Sequence, residues 1–269
     1  MITILERQPK NAAAPSAFTL AELLVVITIL GLLAALLLTA LSQAKARALR
    51  IQCVNNLHQL GVGLQTFLAD NHGYPVMFAG DKSYLGLKGY PRIDRSWMGQ
   101  LEREGLGITR PATNFYLNGV WFCPSAQWSA PNLRGIVGSD AGEYYGYNDD
   151  RWGPNGSSQP INPANQFGLQ RQYDPMTHTF RPITESEVAI PSDMMAIGDC
   201  FEANAIFQRR MLEVLESCGN TLTRHQGKAN VVFCDGHVES PTLNFLFVDT
   251  KNAALVRWNR DHQPHPENL

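Results

Sequence analysis

The chain has 269 residues, 44% of them hydrophobic, with Lys+Arg 22 against Asp+Glu 24 and a formal charge of −2. Such a length allows one sizeable domain or two small ones, and the composition is ordinary for a globular protein. Neither sign of charge forms a long run, so the electrostatic footprint of a nucleic-acid binder is missing and no direct nucleic-acid partner is expected.

Residues 1 to 17, MITILERQPKNAAAPSA, are short and polar, carry Arg7 and Lys10, and show no helical periodicity. They read as a leader on the cytoplasmic side. From Phe18 to Leu41 the chain is almost wholly apolar, with Glu22 its one charged side chain. As a helix this stretch spans roughly 36 Å, enough to cross a hydrocarbon core of about 30 Å once. Leader and apolar run admit three readings: a secretory signal peptide, a plain signal anchor and a prepilin-type signal. A secretory signal would have a shorter apolar region and a small-residue cleavage site, which Ser42 and Ala44 would have to supply. The run is too long for that, and no extended site follows it.

Instead the helical pattern continues. Leu49, Cys53, Leu57, Leu60, Leu64 and Phe67 recur at spacings of three and four, with Lys45, Arg50, Asn55, Gln59 and Gln65 between them. Gly61 and Gly63 should weaken this segment by about 1 kcal/mol each against Ala. At Asp70-Asn71-His72-Gly73-Tyr74-Pro75 the pattern stops; Gly73 suits the left-handed position past a helix end and Pro75 prevents continuation. The expectation is one helix from Phe18 to Asn71, about 80 Å long. Lys45, Arg47 and Arg50 follow the apolar run, and the positive-inside rule would keep that side in the cytoplasm.

From Gly80 to Pro191 periodicity is poor, as befits a large loop-rich insertion. Its aromatic residues, including Trp97, Trp121, Trp128, Tyr144, Tyr145 and Trp152, read as core filling in preference to a ligand cluster. Strand signals return at Met194 to Gly198, at Ala229 to Cys234 and at His237 to Ser240, the last two joined by Asp235-Gly236 as a hairpin. Ala254 to Trp258 reads as one more strand, and the tail from Asn259 as frayed. The five cysteines include no C-x-x-C pair and no Cys/His cluster at zinc spacing, which argues against a structural zinc site. In an oxidising compartment two disulfides can form and one thiol is left over.

Ala17-Phe18-Thr19-Leu20-Ala21-Glu22, followed at once by Leu23-Leu24-Val25-Val26-Ile27, resembles the processing site of type IV prepilins and type II secretion pseudopilins. The resemblance implies cleavage between Ala17 and Phe18 by a prepilin peptidase and methylation of the new Phe18 amine. Ala17 stands where that family usually has Gly. It also implies that Glu22 pairs with the amino terminus of a neighbouring subunit. A carboxylate in hydrocarbon costs some 2.5 to 3.5 kcal/mol, so an ionisable residue there invites a functional reading. The remaining partners implied are like subunits, an inner-membrane platform, an assembly ATPase and the lipid bilayer.

Further blocks resemble the large pilin-like proteins of planctomycetes and verrucomicrobia: Cys53 to Gly61 (CVNNLHQLG), the Asp70 to Pro75 stop, Phe122-Cys123-Pro124, Tyr145-Gly146-Tyr147-Asn148, Gly198-Asp199, and His225 with Asp235-Gly236 as an H-X9-DG motif. Thr39 stands where these proteins often have Pro, which implies a straighter helix. The resemblance sets the Cys53 and Cys123 blocks side by side and so implies a disulfide, the alternative being two buried thiols. His225 and Asp235 are the raw material of acid–base chemistry, but a hairpin role, with His225 bonding backbone groups or Asp235, fits them better. No cofactor is expected. Calcium on Asp199 and Asp235 is a weaker alternative, lacking EF-hand spacing, and the metal content stays unknown.

The fold class expected is therefore α+β: a leader (1–17), a membrane half of the helix (18–41), and a head (42–269) in which the helix's second half packs on an antiparallel sheet. The function expected is a non-enzymatic subunit of a pilus-like or pseudopilus-like filament in the cytoplasmic membrane, with its head outside. A membrane-anchored periplasmic binding protein is the alternative.

Overall fold

A computed structural model describes residues 19–76, 97–108, 119–126, 145–148, 167–169, 172–174, 179–199, 206–207 and 224–266. Ala17 and Phe18 fall outside these, as do most of the expected loop-rich insertion and Trp128, Tyr144 and Trp152 within it. The chain divides into two compact units, Met1–Lys45 and Ala46–Leu269.

Helix α1 runs from Leu20 to Asn71, 52 residues without a break. Its part in the first unit is Leu- and Ala-rich, strong helix-forming composition, and every large apolar side chain from Leu20 to Leu41 is exposed. Thr28, Thr39 and Ser42 donate their hydroxyls to the carbonyls of Val25, Leu36 and Thr39 at 2.8 to 2.9 Å. Their polarity is thereby satisfied within the helix, as an apolar solvent requires. This one helix is long and apolar enough to cross a membrane.

In the second unit α1 is amphipathic. Cys53, Leu57, Leu60 and Leu64 are fully buried and continue the stripe expected from their spacing. Each buried Leu contributes about 1.5–3 kcal/mol. They pack against a five-stranded sheet of order β5-β1-β4-β6-β7. Its strands are β1 (Tyr145–Asn148), β4 (Met195–Asp199), β5 (Ile206–Phe207), β6 (Val231–Phe233) and β7 (Val238–Glu239); β2 (Gln172–Asp174) and β3 (Thr179–Arg181) form a separate hairpin. The run β1-β4-β6-β7 is antiparallel, and β5 adds a short parallel edge to β1. The fold is α+β.

Alternation along β6, together with a register break between Met195 and Ile197 on β4, makes two cores. Ile197 and Val232 face α1, while Met195, Val231 and Phe233 face Leu246, Phe247 and Trp258 near the C terminus. Those C-terminal residues correct one expectation. Asn252–Leu255 is helical (α2 here being the short turn Trp97–Gln100, this one α3), and it continues as a 3-10 turn, Val256–Trp258. Ala254, Leu255 and Trp258 bury a helical face, so the run follows the helix period and not the strand period. Nor is the stretch after Asn259 frayed up to residue 266. Arg260 N–H donates to the Phe167 carbonyl at 2.8 Å, and the His265 ring stacks on Phe167 with centroids 3.6 Å apart.

The helix stop differs in detail. His72 takes the left-handed conformation (φ 52°) and donates its N–H to the Leu68 carbonyl, so Gly73 is not the left-handed residue. Gly73 instead bridges to Thr184, where a Cβ would stand 3.3 Å from the Ile183 carbonyl oxygen. Trp97, Trp121, Tyr145 and Tyr147 of the middle region are core: Trp97 stacks on Tyr147 (5.3 Å) and meets Trp121 edge-on (5.6 Å), and all four are fully buried.

Gly61 acquires a reason that periodicity alone did not supply. A Cβ there would lie 2.5 Å from the Gly236 carbonyl oxygen and 3.2 Å from a Val232 methyl, so α1 touches the β6–β7 turn through the missing side chain. Gly61→Ala is expected to destabilise the head by about 1–3 kcal/mol through overpacking, despite a helix-propensity gain of about 1 kcal/mol. A urea midpoint that rises in the variant would show that the turn gives way freely.

Candidate functional site

Five sequence blocks that lie far apart in the chain converge beside α1. Cys53 is on the buried stripe of the helix, and Asn56, three residues on and on the same face, donates its amide to the Phe122 carbonyl at 2.7 Å. That bond fixes the Phe122-Cys123-Pro124 segment, which turns as Ala126 N–H donates to the Cys123 carbonyl at 3.0 Å. The Cys53 and Cys123 sulfurs come to 2.7 Å from one another, both as free thiols in this structure and both fully buried. Tyr145 of β1 donates its hydroxyl to the Cys53 carbonyl at 3.4 Å.

The other side of the cluster comes from the sheet. Asp199 ends β4, with its side chain fully buried. Its Oδ2 accepts from the Asn230 backbone N–H (2.6 Å) and the Asn230 side-chain amide (3.1 Å), and the Asn230 amide oxygen accepts from Ser240 at 2.7 Å. His225 Nε2 lies 3.3 Å from the same carboxylate oxygen and 3.4 Å from the Cys123 sulfur. Arg224 Nη2 stands 3.7 Å from Asp199 Oδ1. His225 is held in the left-handed region (φ 54°), followed by Gln226 (φ 60°) and Gly227 (φ 75°). Such a run is costly for residues with side chains and persists only where the surroundings enforce it. Among the described residues, His225 Nδ1 has no hydrogen-bond partner.

The electrostatics follow from this packing. Burial pushes the Asp199 carboxyl up, but the Arg224 charge, the His225 ring and the Asn230 N–H outweigh it and hold the group below the usual carboxylate range. Burial pushes His225 down, yet the Asp199 charge and hydrogen bond carry it to about 9. The hydrogen bond with Cys123 lowers Cys53, against burial, to about 5, and burial together with the same bond raises Cys123. As a pair the sulfurs thus give up one proton readily and the second with difficulty.

The H-X9-DG motif does not pair internally. Asp235 is exposed and bonds His237 across the turn (Oδ1 to Nδ1, 2.6 Å), while His225 turns to Asp199. Gly236 serves the hairpin, with φ 89° and its N–H on the Phe233 carbonyl. The two aspartates considered for calcium have separate partners, and Asp199 is ringed by donors. Glu22, the remaining site residue that is described, lies at the start of α1. Thr19 N–H and hydroxyl donate to Glu22 Oε2 at 2.9 and 2.8 Å, and Glu22 N–H returns to the Thr19 hydroxyl at 3.2 Å. This is a reciprocal capping box, which sequence reasoning missed although the T-x-x-E spacing signals it.

In comparisons with known proteins, no family model, no curated protein and no solved structure matches the chain. Function therefore rests on the chemistry of the chain's own residues.

That chemistry is not arranged as a catalytic triad. A base that activates a thiol uses one ring nitrogen for the thiol and the other for the orienting carboxylate, whereas His225 turns the same nitrogen to both. Cys53, Cys123 and His225 nonetheless offer three ligand atoms within 4.8 Å of one another, a grouping that local cysteine spacing did not announce. Arg224 and Asn230 are also new members of the cluster, and no local pattern marks either.

Proposed function

We propose that the chain is a pilin-like filament subunit: a prepilin cut before Phe18, held in the cytoplasmic membrane by the first half of α1 and assembled by stacking those helices, with the head outside. The observation that carries this reading is a single helix with two surfaces. From Leu20 to Leu41 all large apolar side chains are exposed, as suits lipid and then the helix bundle of a filament. Beyond Lys45 the same helix buries one stripe against the sheet of its own head. Glu22 is the one charged side chain of the apolar half, and beyond its bonds to Thr19 it is a candidate partner for a neighbour's amino terminus. The peptidase, platform and ATPase are the partners this implies. Lys45, Arg47 and Arg50 oppose the orientation under the positive-inside rule; in the proposed route they cross with the head.

Peptide mass spectrometry of the protein from its own host is the test. The expected mature chain begins at a methylated Phe18 and is recovered in sheared surface filaments. A chain beginning at Lys45 would mean a secretory signal and defeat the filament reading. A Phe18 chain retained in the membrane under every condition favours the anchored binding protein.

A further inference from the structure

The buried cluster next to α1 is the strongest unexplained feature outside the apolar half of the helix. Two sulfurs 2.7 Å apart are too close for two ligands of one tetrahedral zinc ion, which at a Zn–S length of about 2.3 Å stand roughly 3.8 Å apart. Two protonated thiols are also crowded at that distance, since each must place a hydrogen in a fully buried space. Leaving one sulfur ionised requires the proton on His225, and its Nδ1 then becomes a buried N–H with no acceptor among the described residues. Each reduced form therefore carries a penalty. A covalent link, with a bond of about 2.04 Å, removes it: neither sulfur then needs a proton, and His225 is satisfied by an Nε2–H toward Asp199.

We propose that Cys53 and Cys123 close a disulfide as the exported head folds, with the charged His225 ring stabilising the Cys123 sulfur as thiolate, so that α1 is locked to the head only on the oxidising side of the membrane. The oxidant is a disulfide, R–S–S–R, of a small molecule or a thiol oxidase. Cys123 loses its proton to solvent beside the charged His225 ring; the thiolate attacks R–S–S–R, forming Cys123–S–S–R and releasing RS−, which takes a proton from solvent and leaves as RSH. The Cys53 thiolate then attacks the Cys123 sulfur, expelling the second RS−, which leaves as RSH with the Cys53 proton. Two thiols are oxidised and one external disulfide is reduced. Because both sulfurs are buried in the finished head, the oxidant must reach Cys123 before the Cys123-Pro124 turn closes on α1. Oxidation is thus a step of folding, and the bond ties residues 70 apart in the chain.

The inference rests on that part of the filament reading which puts the head outside the cytoplasm. Full-length protein from host membranes, denatured in the presence of a maleimide, should leave the Cys53 and Cys123 peptides unlabelled without reductant and fully labelled after it. Labelling of both without reductant in a head that protease treatment of whole cells finds outside overturns the disulfide, as does one zinc per chain with both thiols labelled after chelation. A head protected from protease would instead overturn the orientation. For His225, reduced full-length chain is refolded in detergent with oxidised glutathione across pH 5 to 9. Oxidation in H225Q should be roughly tenfold slower below pH 7 and converge with wild type near the ordinary thiol value of about 8.5. Equal rates at every pH remove His225 from the step. If H225Q does not fold, the wild-type profile decides: a rate that levels off well below pH 8.5 supports His225, and one rising steadily to it overturns the role.

Discussion

Asp199→Asn should cost the head about 3–5 kcal/mol, the loss expected when one partner of a buried ion pair is removed. The substitution keeps the volume and retains an oxygen for the Asn230 N–H, so packing is not the cause. What disappears is the negative charge facing Arg224 and His225, both buried. The amide also points an N–H₂ at one of these donors, where the carboxylate offered only lone pairs. For a head of this size the loss corresponds to a fall in Tm of roughly 6–20 °C. The pH dependence identifies the cause. A carboxylate whose folded value is depressed contributes stability that is complete above its unfolded value of about 3.9 and is lost as pH falls through the lower folded one. Wild type should therefore show this acid limb on Asp199's account and Asp199→Asn should lack it. Urea titration at pH 7 and pH 3 measures both; a penalty under about 1 kcal/mol at pH 7 would mean that Asp199 does not anchor the cluster.

The parts of this structure that were legible in the sequence are those decided by local periodicity. Helix α1, its stop and the β6–β7 hairpin each follow from residues within a few turns of one another. The run from Ala254 to Trp258 was misread because five apolar-rich residues are too few to separate a period of 2 from one of 3.6. Strand β1 escaped notice for a related reason: Tyr145 to Asn148 is short and buried on both faces. The buried cluster was legible only in fragments. Cys53 and Asn56 share a helix face, which spacing shows. That Asp199 meets His225, however, depends on β4 lying beside β6 and on three successive left-handed residues after Arg224, neither of which a local pattern encodes. The motif spacing even misdirected, since Asp235 is the aspartate named in it while Asp199 is the one His225 reaches.

Glu22 poses the sharpest question for assembly, because capping and intersubunit pairing are now both chemically available to it. Glu22→Gln separates them. A Gln at the third helical position still accepts from Thr19 and keeps a capping box, but has no charge to offer a neighbour's amino group. Glu22→Ala loses both, with a capping penalty of about 1 kcal/mol. Membrane insertion should survive in either variant, since the apolar run suffices and the carboxylate opposes it. Cleavage before Phe18 should continue, because Ala17 is unchanged. If charge pairing guides assembly, both variants lose filaments alike, as the neighbouring amine is left uncompensated in a low-dielectric bundle. If Glu22 matters only as a cap, Glu22→Gln assembles normally and Glu22→Ala is mildly impaired. The measurement compares the sheared filament fraction with the cleaved membrane fraction for the three proteins in the native host. The filament reading expects at least about a tenfold drop for Glu22→Gln, equivalent to 1.4 kcal/mol per added subunit, and normal yield from that variant would assign Glu22 to the helix terminus alone.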